Sequence, residues 1–94
     1  MCIRDRLGPY VLEDAELMIG RASHCGIRIM THYVSREHAR ISVTNERWFI
    51  EDVGSRNGVF VNSVRVERQK LDNNDLVTIG DTQFRYQAGD FDAG

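Results

Sequence analysis

A chain of 94 residues, 41 % hydrophobic and 28 % charged, has room for one domain with one modest core. Its net charge of −2 argues against a general binder of nucleic acid or acidic membranes. No apolar run approaches the ~20 residues of a membrane span, and no charged start leads into the apolar stretch of a signal peptide, so the reading is cytoplasmic, without membrane insertion.

The first six residues, MCIRDR, resemble a translated sequencing adaptor more than a native start. Residues 1–7 are therefore read as a non-native start, with the first native strand expected to be missing. From there on, short strand-like runs recur at intervals near ten residues or less, at 10–12, 16–19, 27–30, 39–43, 48–51, 59–61, 64–66, 76–79 and 83–86. No helix-length periodic stretch interrupts them. Such spacing predicts an all-β sandwich or barrel. Alternation is clear where Ala39, Ile41 and Val43 face one way and Arg40 and Ser42 the other, and again where Phe84 and Tyr86 bracket Arg85. Asn57-Gly58, Asn62-Ser63 and Gly80-Asp81 have the residue types of tight turns. Residues 87–94 have little to bury and read as a linker or tail to a longer chain.

The charge is unevenly spread. Residues 20–58 carry six arginines against four acids, whereas the remainder is acidic. A locally positive middle in an acidic chain suits one small anion better than a long polyanion. Three stretches at strand ends stand out within it: Gly20-Arg21, Ser35-Arg36-Glu37-His38 and Gly54-Ser55-Arg56-Asn57-Gly58. Arginine offers paired donors to phosphate oxygens. Serine hydroxyls and loop N–H groups add neutral donors, asparagine can bracket a peptide backbone, and glycine permits close approach. Taken singly, each piece has a plainer explanation: Arg21 as a solvated charge, Asn57-Gly58 as a hairpin turn, His38 as a hydrogen-bonded structural histidine. The last is kept.

Ser35 and His38 lack the G-x-S-x-G elbow and an acidic residue to orient the imidazole, so no catalytic residue is assigned and no enzyme is expected. Cys25 with His24 and His32 lacks a fourth ligand at any usual spacing, so no metal or cofactor is expected. Two cysteines cannot build a secreted disulfide framework.

Together, and in this order, the three stretches resemble the forkhead-associated (FHA) domain, with Asp75 and Gly80 near its last turns and Trp48 in the strand between the second and third motifs. The resemblance runs from Tyr10 to Tyr86. It implies a β-sandwich of two antiparallel sheets with about ten to eleven short strands, occupying residues 8–86. It also implies recognition of phosphothreonine in an extended peptide through loops at one end. By position, Arg21 and Ser35 correspond to phosphate ligands, with Arg36 and Arg56 as additional phosphate contacts and Asn57 as the peptide-backbone clamp. Gly20, His38 and Gly58 correspond to loop-shaping residues, and His32 and Tyr33 to the specificity loop. The implied partner is a protein phosphorylated by a Ser/Thr kinase. The alternative is an interaction domain of the same fold that needs no phosphate. One departure from the family pattern is Cys25-Gly26, where many relatives carry Asn-Asp; it bears on local loop geometry.

Overall fold

Backbone pairing gathers eleven short strands into two sheets in the structure, a computed structural model describing residues 2–5, 8–12 and 15–87. In chain order they are β1 (Cys2–Asp5), β2 (Gly8–Val11), β3 (Glu16–Gly20), β4 (Ile27–Arg28), β5 (Ala39–Thr44), β6 (Arg47–Asp52), β7 (Val59–Val61), β8 (Val64–Val66), β9 (Arg68–Lys70), β10 (Leu76–Ile79) and β11 (Thr82–Gln87). One sheet has the order β2-β1-β11-β10-β7-β8 and the other β4-β3-β5-β6-β9. All pairs are antiparallel except β3 with β4, which run parallel. Residues 88–94 of the expected tail, and residues 1, 6 and 7 of the expected non-native start, lie outside the described residues. Among the described residues no helix is long and apolar enough to cross a membrane.

The alternation expected in the sequence decides which side chains meet. Ile19, Ile27, Ala39, Ile41 and Ile50 point inward from one sheet, and Val59, Val61, Val77, Ile79, Phe84 and Tyr86 from the other. The two inner faces interdigitate as a sandwich core. Trp48 belongs to this core, 7 % exposed. Turns follow their residue types: Asn45-Glu46 and Asn62-Ser63 have positive φ at both positions, the type I′ geometry that matches strand twist.

The segment read as a non-native start forms a strand. Cys2–Asp5 lies between β2 and β11, with Ile3 opposite Tyr86 and wholly buried. One inward isoleucine suffices because the ladder itself is made by backbone groups, which need no apolar pattern. Two further boundaries differ. The run at 27–30 is a strand only over Ile27–Arg28, although the Ile29 N–H still bonds the Gly20 carbonyl at 2.8 Å. β9 was not expected at all: Arg68, Gln69 and Lys70 are all exposed, and the strand is held by its backbone pairing to β6.

Candidate functional site

Every loop that carries one of the three motifs opens at the same end of the sandwich, and the reason is visible in the backbone. Segment 35–38 runs alongside segment 19–22. Arg21 N–H bonds Ser35 O at 3.1 Å, Ala22 N–H bonds Arg36 O at 3.1 Å, and His38 N–H bonds Ile19 O at 2.9 Å. This closeness demands glycine at position 20, where a Cβ would stand 2.2 Å from the Arg36 carbonyl oxygen. Cys25-Gly26 closes the same corner. Cys25 N–H turns back to Ala22 O at 3.1 Å, its thiol faces Arg36 O at 3.4 Å, and Gly26 leaves room for the Leu17 side chain. Burial pushes the Cys25 thiol pKa up, leaving it a small buried hydrophobe.

His38 joins the second loop to the third. The ring is 0 % exposed. Its Nδ1 accepts the Ser35 N–H at 3.0 Å, so the proton sits on Nε2, which donates to Gly58 O at 2.7 Å. The structure thus gives this histidine two backbone partners on different loops. Gly58 adopts φ +86° in the turn where the third loop enters β7.

The third loop is built on Asp52, which the sequence reading did not single out. Its carboxylate accepts from Gly54 N–H at 2.9 Å, Ser55 N–H at 2.7 Å and the Ser55 hydroxyl at 2.9 Å. Ser55 in turn accepts Gly58 N–H at 2.9 Å. Partial burial opposes ionisation of Asp52, but the bonds from Ser55 and Gly54 outweigh it and hold the carboxyl below its usual range. A carboxylate bonding backbone N–H groups two and three residues on is an Asx turn, so Asp52-Val53-Gly54-Ser55 was readable in principle.

On this frame the polar side chains converge. A depression of about 620 Å³ is lined by Arg21, Ser35, Arg36, Arg56, Asn57 and His32, together with His24, Glu37, Val34 and Val53. Arg21 Nε donates to Val34 O at 2.5 Å, which fixes the guanidinium plane and leaves its terminal N–H groups free. Ser35 Oγ accepts the Arg56 N–H at 3.1 Å, so its own proton remains available to an acceptor. Asn57 Nδ2 donates to Tyr33 O at 2.8 Å and leaves Oδ1 as an acceptor. Among the described residues, the Arg36 and Arg56 side chains have no hydrogen bond or ion pair. The single lining carboxylate, Glu37, is bonded by His24 at 2.6 Å. His24, Val34, Glu37 and Val53 are the lining residues to which sequence reasoning gave no site role. Tyr33 does not line the depression; it is 60 % exposed, and its carbonyl serves to hold Asn57.

Three guanidiniums, one serine hydroxyl and a loop asparagine thus gather at one end of the two-sheet frame, a donor set whose chemistry suits an anionic group. The comparisons with known proteins agree with that class. Residues 17–80 match the FHA domain model, and the chain belongs to the FHA domain family. It is 31 % identical to mouse (Mus musculus) proliferation marker protein Ki-67 over 86 residues, which is 90 % of this chain and 3 % of that protein. It is 34 % identical to the FHA domain-containing protein FhaB of Mycobacterium tuberculosis (strain CDC 1551 / Oshkosh) over 55 residues, 58 % of this chain and 36 % of that one. The chain therefore spans well under half the length of these curated relatives. Among solved structures it superposes on Mycobacterium tuberculosis EmbR in complex with a low-affinity phosphopeptide. The TM-score is 0.87 and the identity 32 %, with 92 % of this chain and 24 % of that one covered.

Proposed function

We propose that this chain is a non-enzymatic module that binds phosphothreonine in an extended peptide, recruiting a partner modified by a Ser/Thr kinase on the cytoplasmic side. The observation that carries the reading is the charge and donor set of the depression. Arg21, Arg36 and Arg56 surround the Ser35 hydroxyl, opposed only by a Glu37 already bonded to His24. Two more positive than negative side chains match the −1.5 to −2 charge of a phosphorylated hydroxyl. Arg21 and Ser35 are the principal phosphate ligands in this reading, with Arg36 and Arg56 adding donors and Asn57 taking the peptide backbone through its free amide acceptor. EmbR, which shares the fold at 32 % identity, carries a phosphopeptide. Calorimetric titration of an oriented peptide library with a fixed phosphothreonine, against the same library unphosphorylated, tests it. Binding confined to the phosphorylated library is expected. Equal binding of both would assign a phosphate-independent interaction domain of the same fold instead.

A further inference from the structure

The loop bearing His32 and Tyr33 is pinned by a hairpin at the far end of the chain. Thr31 Oγ1 donates to Asp81 Oδ1 at 2.8 Å, across fifty residues of sequence. Beside it, Gly80 has φ +62° and presses its backbone against the loop so closely that a Cβ there would stand 2.6 Å from the Tyr33 carbonyl oxygen. That same carbonyl takes the Nδ2 proton of Asn57 at 2.8 Å. The β10–β11 turn, the loop at 31–34 and the Asn57 side chain therefore form one contiguous relay. Asp81 itself is not among the residues lining the depression. Held out by this relay are Met30 and Tyr33, 69 % and 60 % exposed, two of the three large apolar side chains exposed among the described residues. A loop without strand pairing does not keep two bulky apolar groups in fixed positions unless something outside it does.

We infer that Asp81 is a positioning residue for ligand selectivity: through Thr31 it sets where the loop at 30–34 stands, and hence how the residues flanking a bound phosphothreonine are read. The inference rests on the reading given under Proposed function. It assigns the turn no contact with the phosphate. Loss of the Thr31–Asp81 bond releases residues 30–33 while Arg21, Ser35 and the His38 bridge stay in place: Arg21 is held by the carbonyl of Val34, whose own side chain is anchored in the core, and the other two by the Arg56 and Gly58 backbones. The cost falls on flanking contacts alone.

The experiment compares wild type, Asp81→Ala, Asp81→Asn and Thr31→Val with two probes. One is an oriented library with a fixed phosphothreonine and four randomised positions on each side, together with the best peptide it returns. The other is N-acetyl-phosphothreonine methylamide, which has no flanking residues. Asp81→Ala and Thr31→Val should each weaken the best peptide about five-fold, the worth of one ordinary hydrogen bond. Both should flatten the library's residue preferences and leave the methylamide within two-fold of wild type. Asp81→Asn keeps an acceptor for Thr31 and should retain the wild-type preferences. The double variant should lose no more than either single one, since both break the same bond. Unchanged preferences in Asp81→Ala, or equal weakening of both probes, overturns the inference while leaving phosphothreonine binding intact. A wild type that ignores the phosphate on either probe overturns both readings together.

Discussion

Replacing His38 by alanine isolates the contribution of the bridge between the second and third loops. The substitution removes a ring that is 0 % exposed and bonded on both nitrogens. Two backbone groups lose their partners: the Ser35 N–H and the Gly58 carbonyl. Gly58 is itself buried, so water does not readily replace the lost donor, whereas Ser35 is half-buried and can be partly rehydrated. An orphaned buried group costs about 1–3 kcal/mol, and the space left by the ring adds the loss of its packing. The expected destabilisation is therefore about 3–5 kcal/mol, a large share of the ~5–15 kcal/mol that holds a small domain together. Urea unfolding followed by Trp48 fluorescence measures it, since Trp48 passes from 7 % exposure to solvent on unfolding. Affinity for a phosphothreonine peptide should fall in parallel, at protein concentrations and temperatures where the variant is still folded. A variant within about 1 kcal/mol of wild type that nonetheless loses binding would refute the bridging role and make the imidazole a direct ligand.

Arg21→Ala should weaken a phosphothreonine peptide at least ten-fold and lower the salt dependence of binding, because a charge-assisted contact worth about 1.5–3 kcal/mol is removed; titrations at two salt concentrations read both effects, and an unaltered affinity contradicts its role as anchor. Gly20→Ala should lower the melting temperature by several degrees, since the Cβ meets a backbone oxygen at 2.2 Å that belongs to a laddered segment and cannot swing aside. Asp52 has a folded pKa below its ordinary value, so it contributes stability that is complete above about pH 4 and is lost as pH falls through the folded pKa. Asp52→Asn should accordingly be less stable than wild type at pH 7 and lose less than wild type between pH 4 and pH 2, as measured by urea midpoints across that range.

The sandwich and its three motif loops were legible because two separate signals agreed. Inward residues such as Ile41, Val59 and Phe84 alternate with polar ones, and the arginine, serine and asparagine side chains recur at strand ends rather than within strands. β1 and β9 were illegible for a common reason. β1 offers no alternating apolar pattern around Ile3, and β9 buries no side chain, so pairing in both is a matter of backbone groups that carry no residue code. Asp52 was overlooked because an acid closing a strand reads as a solvated charge, and its importance lies in three donors contributed by its immediate neighbours. His24 and Glu37 are thirteen residues apart, and only the fold of the loops makes them a pair. The Thr31–Asp81 bond, joining the loop after the fourth strand to the turn after the tenth, has no local signature at all.

Several of the bonds that lash the binding loops together end on peptide oxygens. Arg21 reaches the carbonyls of Val34 and Ser35, Ala22 that of Arg36, Asn57 that of Tyr33 and His38 that of Gly58. Any amino acid supplies such an oxygen. The side chains of His32, Tyr33, Arg36 and Arg56 can thus be exchanged without touching a single lashing, much as a mould keeps its shape when its lining is replaced. A combinatorial library randomised at those four positions would start from an intact scaffold, and reagents that recognise different phosphorylated segments could be selected from it while the buried core is left as it stands.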